Sequence, residues 1–226
     1  WHENLESHRL EVRRNPNDQV ELGSPPVPTE FGWLIFYSHI QNYFNNKPVF
    51  GIEALLLDKN NPRKIVGRTA GPMMVPEVQY ERIGNVYNIA FPTGILVEEN
   101  AHADVTESKK VGLGQKIKSL FSGKVPISSG QKNTGRTLKI FYGAADTYSC
   151  TATVPLDNLL ETMTAHQGGS QVKRFAGNPI IVPRAGVSWE IKGTLNPAAI
   201  FLDGKTHLLY RAVDKDNIST VGYASS

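Results

Sequence analysis

Short apolar runs, each closed by Gly, Pro, Asn or Asp, recur along the chain: GWLIFYSHI (32–40), FGIEALLLD (50–58), VYNIAFPTGILVEE (86–99), TLKIFYGAAD (137–146), YSCTATVPL (148–156), PAAIFLDG (197–204), THLLYRAV (206–213) and STVGYASS (219–226). Their length, their Val, Ile, Phe and Tyr content and their bounding residues predict β-strands. Asp203-Gly204, between two of these runs, predicts a two-residue hairpin turn, because a type I′ turn needs positive φ at both central positions. Helical spacing is confined to LDNLLETM (156–163) and to a Lys-rich stretch around Leu113–Phe121. The pattern therefore predicts an all-β fold, a propeller, sandwich or barrel. FGWLIFYSHI, TLKIFYGAAD and KTHLLYRAV share one outline, an aromatic-bearing strand ending in a polar residue, as propeller blades do. At those strand ends stand His39, Asp146, Asn196 and Arg211.

Composition narrows the function classes. With 226 residues, 40% of them hydrophobic, the chain can bury a sizeable core. It has no apolar stretch near the roughly 18 residues that span a bilayer. Cys150 is the single cysteine and no leader pattern opens the sequence, so a reducing cytoplasm is the expected setting. The formal net charge is +3, but residues 101–136 alone carry +5, which leaves the rest at −2. That distribution argues against a nucleic-acid surface, which needs a basic stripe on the folded body. The basic stretch reads as a long excursion between two strands; its lysine-interleaved Leu113, Ile117, Leu120 and Phe121 also fit a short amphipathic helix.

Other motifs carry little. Gly204-Lys205-Thr206 has Ala199 where a phosphate-binding loop needs glycine, and sits in a hairpin rather than a strand-to-helix turn. Pro25-Pro26-Val27-Pro28 reads as a stiff connection between strands. Asn217-Ile218-Ser219 has the form of a glycosylation acceptor, unused without secretion. The scattered histidines and carboxylates show no metal-ligand spacing, so no metal and no cofactor are expected.

The segments ELGSPPVPTEFGWLIFYSHI (21–40), FGIEALLLDKNNPRKIVGRT (50–69), YERIGNVYNIAFPTG (80–94), TLKIFYGAADT (137–147), NPIIVP (178–183), WE (189–190), LNPAAIFLDGK (195–205) and LLYRA (208–212) resemble glycoside hydrolase family 130, five-bladed β-propeller enzymes acting on β-mannosides. The YGAADT segment and the NPAAI…LLYR pair are the specific ones. Their order is reversed relative to the family, where the last two stand near the beginning. The resemblance thus implies closing blades over 1–163, with the basic insertion at about 101–136, a linker at 164–173, and the opening blade of a propeller copy over 174–226. A window cut from a tandem polyprotein, a circular permutation and a chain from an incomplete gene are the three explanations.

The resemblance also implies roles. Asn196 and Arg211 would bind the sugar beside the cleaved bond, Asp146 would accept hydroxyl hydrogen bonds, and Phe91 and Tyr142 would offer rings to stack on it. In phosphorolytic members a histidine after the GW strand binds phosphate, the co-substrate. Its counterpart here, His39, is displaced by one position, and such a shift turns a strand side chain to the other face. The family's general acid, an aspartate, has no counterpart in these residues, and Asp214 and Asp216 read as a solvated turn. The implied reaction is inverting phosphorolysis of a β-mannoside to mannose 1-phosphate. The alternatives are hydrolysis, or a non-catalytic propeller binding a sugar or a partner. The expected partners are a β-mannoside oligosaccharide and a second copy or adjoining propeller segment.

Overall fold

The computed structural model describes residues 9–45, 47–99, 135–165 and 171–226. It forms three antiparallel sheets in chain order. The first contains β1 (Gln19–Leu22), β2 (Val27–Thr29), β3 (Gly32–Gln41), β4 (Val49–Leu57) and β5 (Ile65–Arg68), with β1 and β2 sharing one edge of β3. The short helix α1 (Gln79–Arg82) leads into the second sheet, β6 (Ala90–Glu99), β7 (Arg136–Ala144), β8 (Tyr148–Pro155) and β9 (Lys173–Arg174), with α2 (Leu156–Ala165) between its last two strands. A 3-10 turn at Ser188–Glu190 precedes the third, β10 (Gly193–Leu202), β11 (Lys205–Val213) and β12 (Ser219–Ser225).

Each sheet is a meander that begins on the inside and works outward. β6 lies against β3 and β4 of the first sheet, and β10 lies against β6, β7 and β8 of the second. Residues of β2, β6 and β10, among them Val27, Gly94 and Ala199, border one cavity of about 300 Å³. First strands converging on a shared axial space, with successive sheets stacked face to face, is the architecture of a β-propeller. The fold is all-β, and three blades lie among the described residues.

Strand alternation explains the stacking. Leu34 and Phe36 of β3 and Ile52, Ala54 and Leu56 of β4 turn one face of the first sheet onto Leu138, Ile140 and Tyr142 of β7. Leu156, Leu159, Leu160 and Met163 recur on one side of α2 and close the same core. The Asp203-Gly204 hairpin forms as expected: Leu202 pairs with Lys205, and both turn residues have positive φ, 51° and 75°. The LDNLLETM helix is α2. The expected amphipathic helix in the basic stretch, and half of the expected linker, lie outside the described residues.

A recurrent fastener holds each sheet. The second-strand tyrosine donates to a buried glutamate in all three: Tyr37 to Glu53 at 2.6 Å, Tyr142 to Glu81 at 2.8 Å, and Tyr210 to Glu190 at 2.7 Å. Each carboxylate is also held by an arginine, Arg14 at 2.9 Å from Glu53, Arg174 at 2.7 Å from Glu81, and Arg184 beside Glu190. A buried charge is tolerated only when paired and hydrogen-bonded, which is why the ion pair and the phenol come together. Burial, with the Glu190 hydrogen bond, pushes the Tyr210 phenol up to about 12.

Candidate sugar-binding site

The candidate residues gather where the second sheet meets the third. β7 and β8 are joined through Ala145, Asp146 and Thr147, and the first two have positive φ, 48° and 50°. Thr147 N–H donates to Ala144 C=O at 3.0 Å, closing a tight turn that lifts Asp146 above the end of the sheet. Facing it, β10 is bulged between Leu195 and Ala198, and Asn196 in that bulge has a φ of 54°. Asparagine tolerates this left-handed conformation better than most residues. The bulge re-aims the Asn196 side chain toward Gly143 of β7.

The electrostatics favour polar recognition. Burial raises the Asp146 carboxyl above its ordinary value of 3.8, and the positive charge of Arg211 opposes that rise. Arg211 is exposed. It stands on β11 opposite Leu195, beside the Asn196 bulge, and its Nε donates to Ser219 Oγ at 2.9 Å. Asn196 Oδ1 is a buried acceptor with no hydrogen-bond partner among the described residues. Phe91, half-buried, pairs directly with Gly143 across the β6–β7 ladder. Paired residues point to the same side of a sheet, so its ring shares the face turned toward Asn196. An amide, a guanidinium, a carboxylate and one aromatic ring around a partly buried space match the donors, acceptors and apolar face of a hexose.

Two expected site residues belong elsewhere. Tyr142 is one residue from Gly143, so strand alternation sends it to the opposite face. There it is fully buried and donates to Glu81, with no ring face left for a sugar. His39 is also fully buried; Nε2 lies 3.2 Å from Asp18 Oδ2 and Nδ1 lies 3.3 Å from Glu53 Oε1. Two carboxylates around an imidazole repel an anion, so His39 is a structural link and not a phosphate ligand. Asp214 Oδ1 accepts from the backbone N–H groups of Asp216 and Ile218, both at 2.8 Å, and so builds its own turn. No cluster of three or more metal-ligating side chains occurs among the described residues, and no described helix is long and apolar enough to cross a membrane.

Sequence reasoning missed Gly143. A Cβ there would stand 2.6 Å from Asn196 Oδ1, closer than any contact allows. Gly143→Ala is expected to push the Asn196 amide aside and weaken sugar binding about tenfold to a hundredfold, the range set by typical overpacking costs. Titration calorimetry with a mannoside, beside a melting curve lowered by about 2–10 °C, checks this.

The family model described as beta-1,4-mannooligosaccharide phosphorylase matches residues 2–106. The beta-1,4-mannooligosaccharide phosphorylase of Ruminococcus albus is 28% identical over 155 residues, 69% of this chain and 36% of that protein. The 1,2-beta-oligomannan phosphorylase of a Thermoanaerobacter species is 31% identical over 101 residues, 43% of this chain and 33% of that protein. Among solved structures, the beta-1,2-mannobiose phosphorylase of Listeria innocua, in complex with beta-1,2-mannobiose, aligns over 69% of this chain and 33% of its own with 24% identity and a TM-score of 0.47. The chain thus spans about a third of the length of the curated relatives it matches. Taken with the YGAADT and NPAAI…LLYR segments, these matches show that the chain is similar to glycoside hydrolase family 130, most directly over residues 2–106.

Proposed function

We propose that the protein to which these residues belong cleaves β-mannosides by phosphorolysis. A phosphate oxygen attacks the anomeric carbon, the glycosidic C–O bond breaks on the opposite face, and a carboxylic acid delivers a proton to the departing oxygen. The products are α-mannose 1-phosphate and a shortened sugar. Asn196, Arg211 and Asp146 hold the mannosyl unit beside the cleaved bond, and Phe91 stacks on it. The observation that carries the reading is the approach of the Asp146 turn, the Asn196 bulge and Arg211 from two separate blades, with an unpartnered amide oxygen among them. The names of the curated relatives, all mannoside phosphorylases, support the substrate class.

Because His39 is enclosed, phosphate is taken by other groups. The third sheet is the opening blade of a propeller copy, and the remaining blades come from the rest of the protein or from a second copy. Phosphate is the only co-substrate and no cofactor takes part. Cys150, buried and with its thiol pushed up by that burial, suits a reducing cytoplasm. Incubation of the full protein with β-1,2- and β-1,4-mannobiose, with and without phosphate, tests the proposal. Mannose 1-phosphate formed only with phosphate is the expected result. Free mannose at the same rate in both conditions would replace it with hydrolysis, and sugar binding without product would replace it with a non-catalytic propeller.

A further inference from the structure

The segment before β6 clasps the Asp146 turn. Gly84 lies so close that a Cβ would stand 2.4 Å from both Ala145 O and Thr147 Oγ1. Asn85 N–H donates to Thr147 Oγ1 at 2.8 Å, and Val86 N–H donates to Ala145 C=O at 3.1 Å. The Asn85 side chain then does something the backbone cannot. Its Nδ2 donates to the carbonyl of Asp146 at 2.9 Å and to the carbonyl of Lys192 at 2.9 Å. These two acceptors are on different blades. Lys192 N–H in turn donates to Val213 C=O at 2.9 Å, on β11 two residues beyond Arg211. One amide group therefore ties the turn that carries the acceptor carboxylate to the strand that carries the guanidinium.

We propose that Asn85 is a positioning residue that sets the distance between Asp146 and Arg211, and with it the grip on the mannosyl unit. This rests on the sugar-binding reading of those two residues. Both amide hydrogens of Asn85 are used on backbone carbonyls, so it orients the site and does not touch the sugar. The bonds that Asn85 and Val86 N–H donate to Thr147 and Ala145 keep the turn closed without the side-chain amide, but they stay within the second blade. Thr194, whose N–H donates to Thr147 C=O at 2.8 Å, is the neighbouring link between the blades. It leaves the carbonyl of Asp146 itself unheld.

The test compares wild type, Asn85→Ala and Asn85→Asp in the full protein. Aspartate keeps the side chain's shape and removes its protons, so a donor role makes both variants behave alike. Hydrogen exchange read at the Ala145 and Thr147 amides is expected to speed up severalfold in both. The KM for β-mannobiose is expected to rise about tenfold or more with the KM for phosphate unchanged, since small misplacements of a binding group have effects of that size. A purely structural role would instead lower kcat and Tm and move both KM values together. Unchanged exchange at Ala145 and Thr147, or an aspartate variant that matches wild type, overturns the inference. Wild type without any turnover of β-mannobiose overturns the sugar reading instead, and the exchange data still decide whether Asn85 holds the turn.

Discussion

Replacing Asp146 by alanine is expected to lower kcat/KM for a β-mannoside about a thousandfold. A hydrogen bond to a charged group contributes roughly 1.5–3 kcal/mol, and a carboxylate that accepts two sugar hydroxyls loses both, which corresponds to a factor between about a hundred and ten thousand. Alanine is also disfavoured at a φ of 50°, so Asp146→Asn is the companion variant that isolates the charge. Burial holds the Asp146 carboxyl above 3.8, with Arg211 opposing. The proposed hydrogen bonds from sugar hydroxyls need the ionised form, so wild-type affinity is expected to fall as pH drops through that raised pKa, and Asp146→Asn to lack this acid limb. The fold itself has the opposite preference. A raised carboxyl favours the neutral form, so its contribution to stability is present at low pH and lost as pH rises from the unfolded toward the folded pKa. The asparagine variant should therefore melt no lower than wild type at neutral pH. Steady-state kinetics across pH, beside melting curves, read both effects; an unchanged kcat/KM in Asp146→Ala would remove the carboxylate from the site.

The largest stability effect is expected at Glu53. Its carboxylate, fully buried, accepts from Tyr37, from Arg14 at 2.9 and 3.2 Å, and from Arg68, with the His39 ring on its other side. Glu53→Ala leaves two guanidiniums, an imidazole and a phenol around an empty space. Removing one member of a buried ion pair costs about 3–5 kcal/mol. For a chain of this size that lowers Tm by roughly 10 °C. Burial works against ionisation of Glu53, yet the hydrogen bonds from Arg14 and Tyr37 keep its pKa below the ordinary 4.5. The sign follows: this contribution is present above pH 4.5 and fades as pH falls through the lowered folded value. Wild type is expected to lose stability in that acid range, and Glu53→Ala, already deprived of the contribution, to lose less. Thermal melts between pH 3 and 7 test the pair, and parallel acid profiles would refute the account.

The sheets were legible because alternation is a local signal. GWLIFYSHI, TLKIFYGAAD and THLLYRAV each became a second strand, and Asp203-Gly204 turned where its φ preference required. β5 and β9 were not legible, since four and two residues with charges among them carry no periodicity of their own. Asn196, Arg211 and Asp146 came from the resemblance, and the fold brings them to one junction. Tyr142 and His39 failed for the same physical reason: in a strand the neighbouring position faces the other way, and each sits on the face that meets a buried glutamate. Asn85 and Gly143 left no trace that spacing could reveal, because their roles depend on partners up to 107 residues away and on the absence of a Cβ. The repeated tyrosine in FYSH, FYGA and LLYR was visible, but its glutamate partners come from β4, α1 and a 3-10 turn, so no fixed offset announced them.

The phenol, carboxylate and guanidinium that fasten each sheet all come from that sheet or from the stretch running into or out of it. For these clasps a blade draws nothing from whichever blade precedes it in the gene, although its apolar face still packs on its neighbour. Shuffling such units along a coding sequence leaves every one of these clasps intact and alters only the seams. Selection on a rearranged propeller would then fall on the seam residues that aim the ligand-binding groups, and the rivets would pass through unchanged.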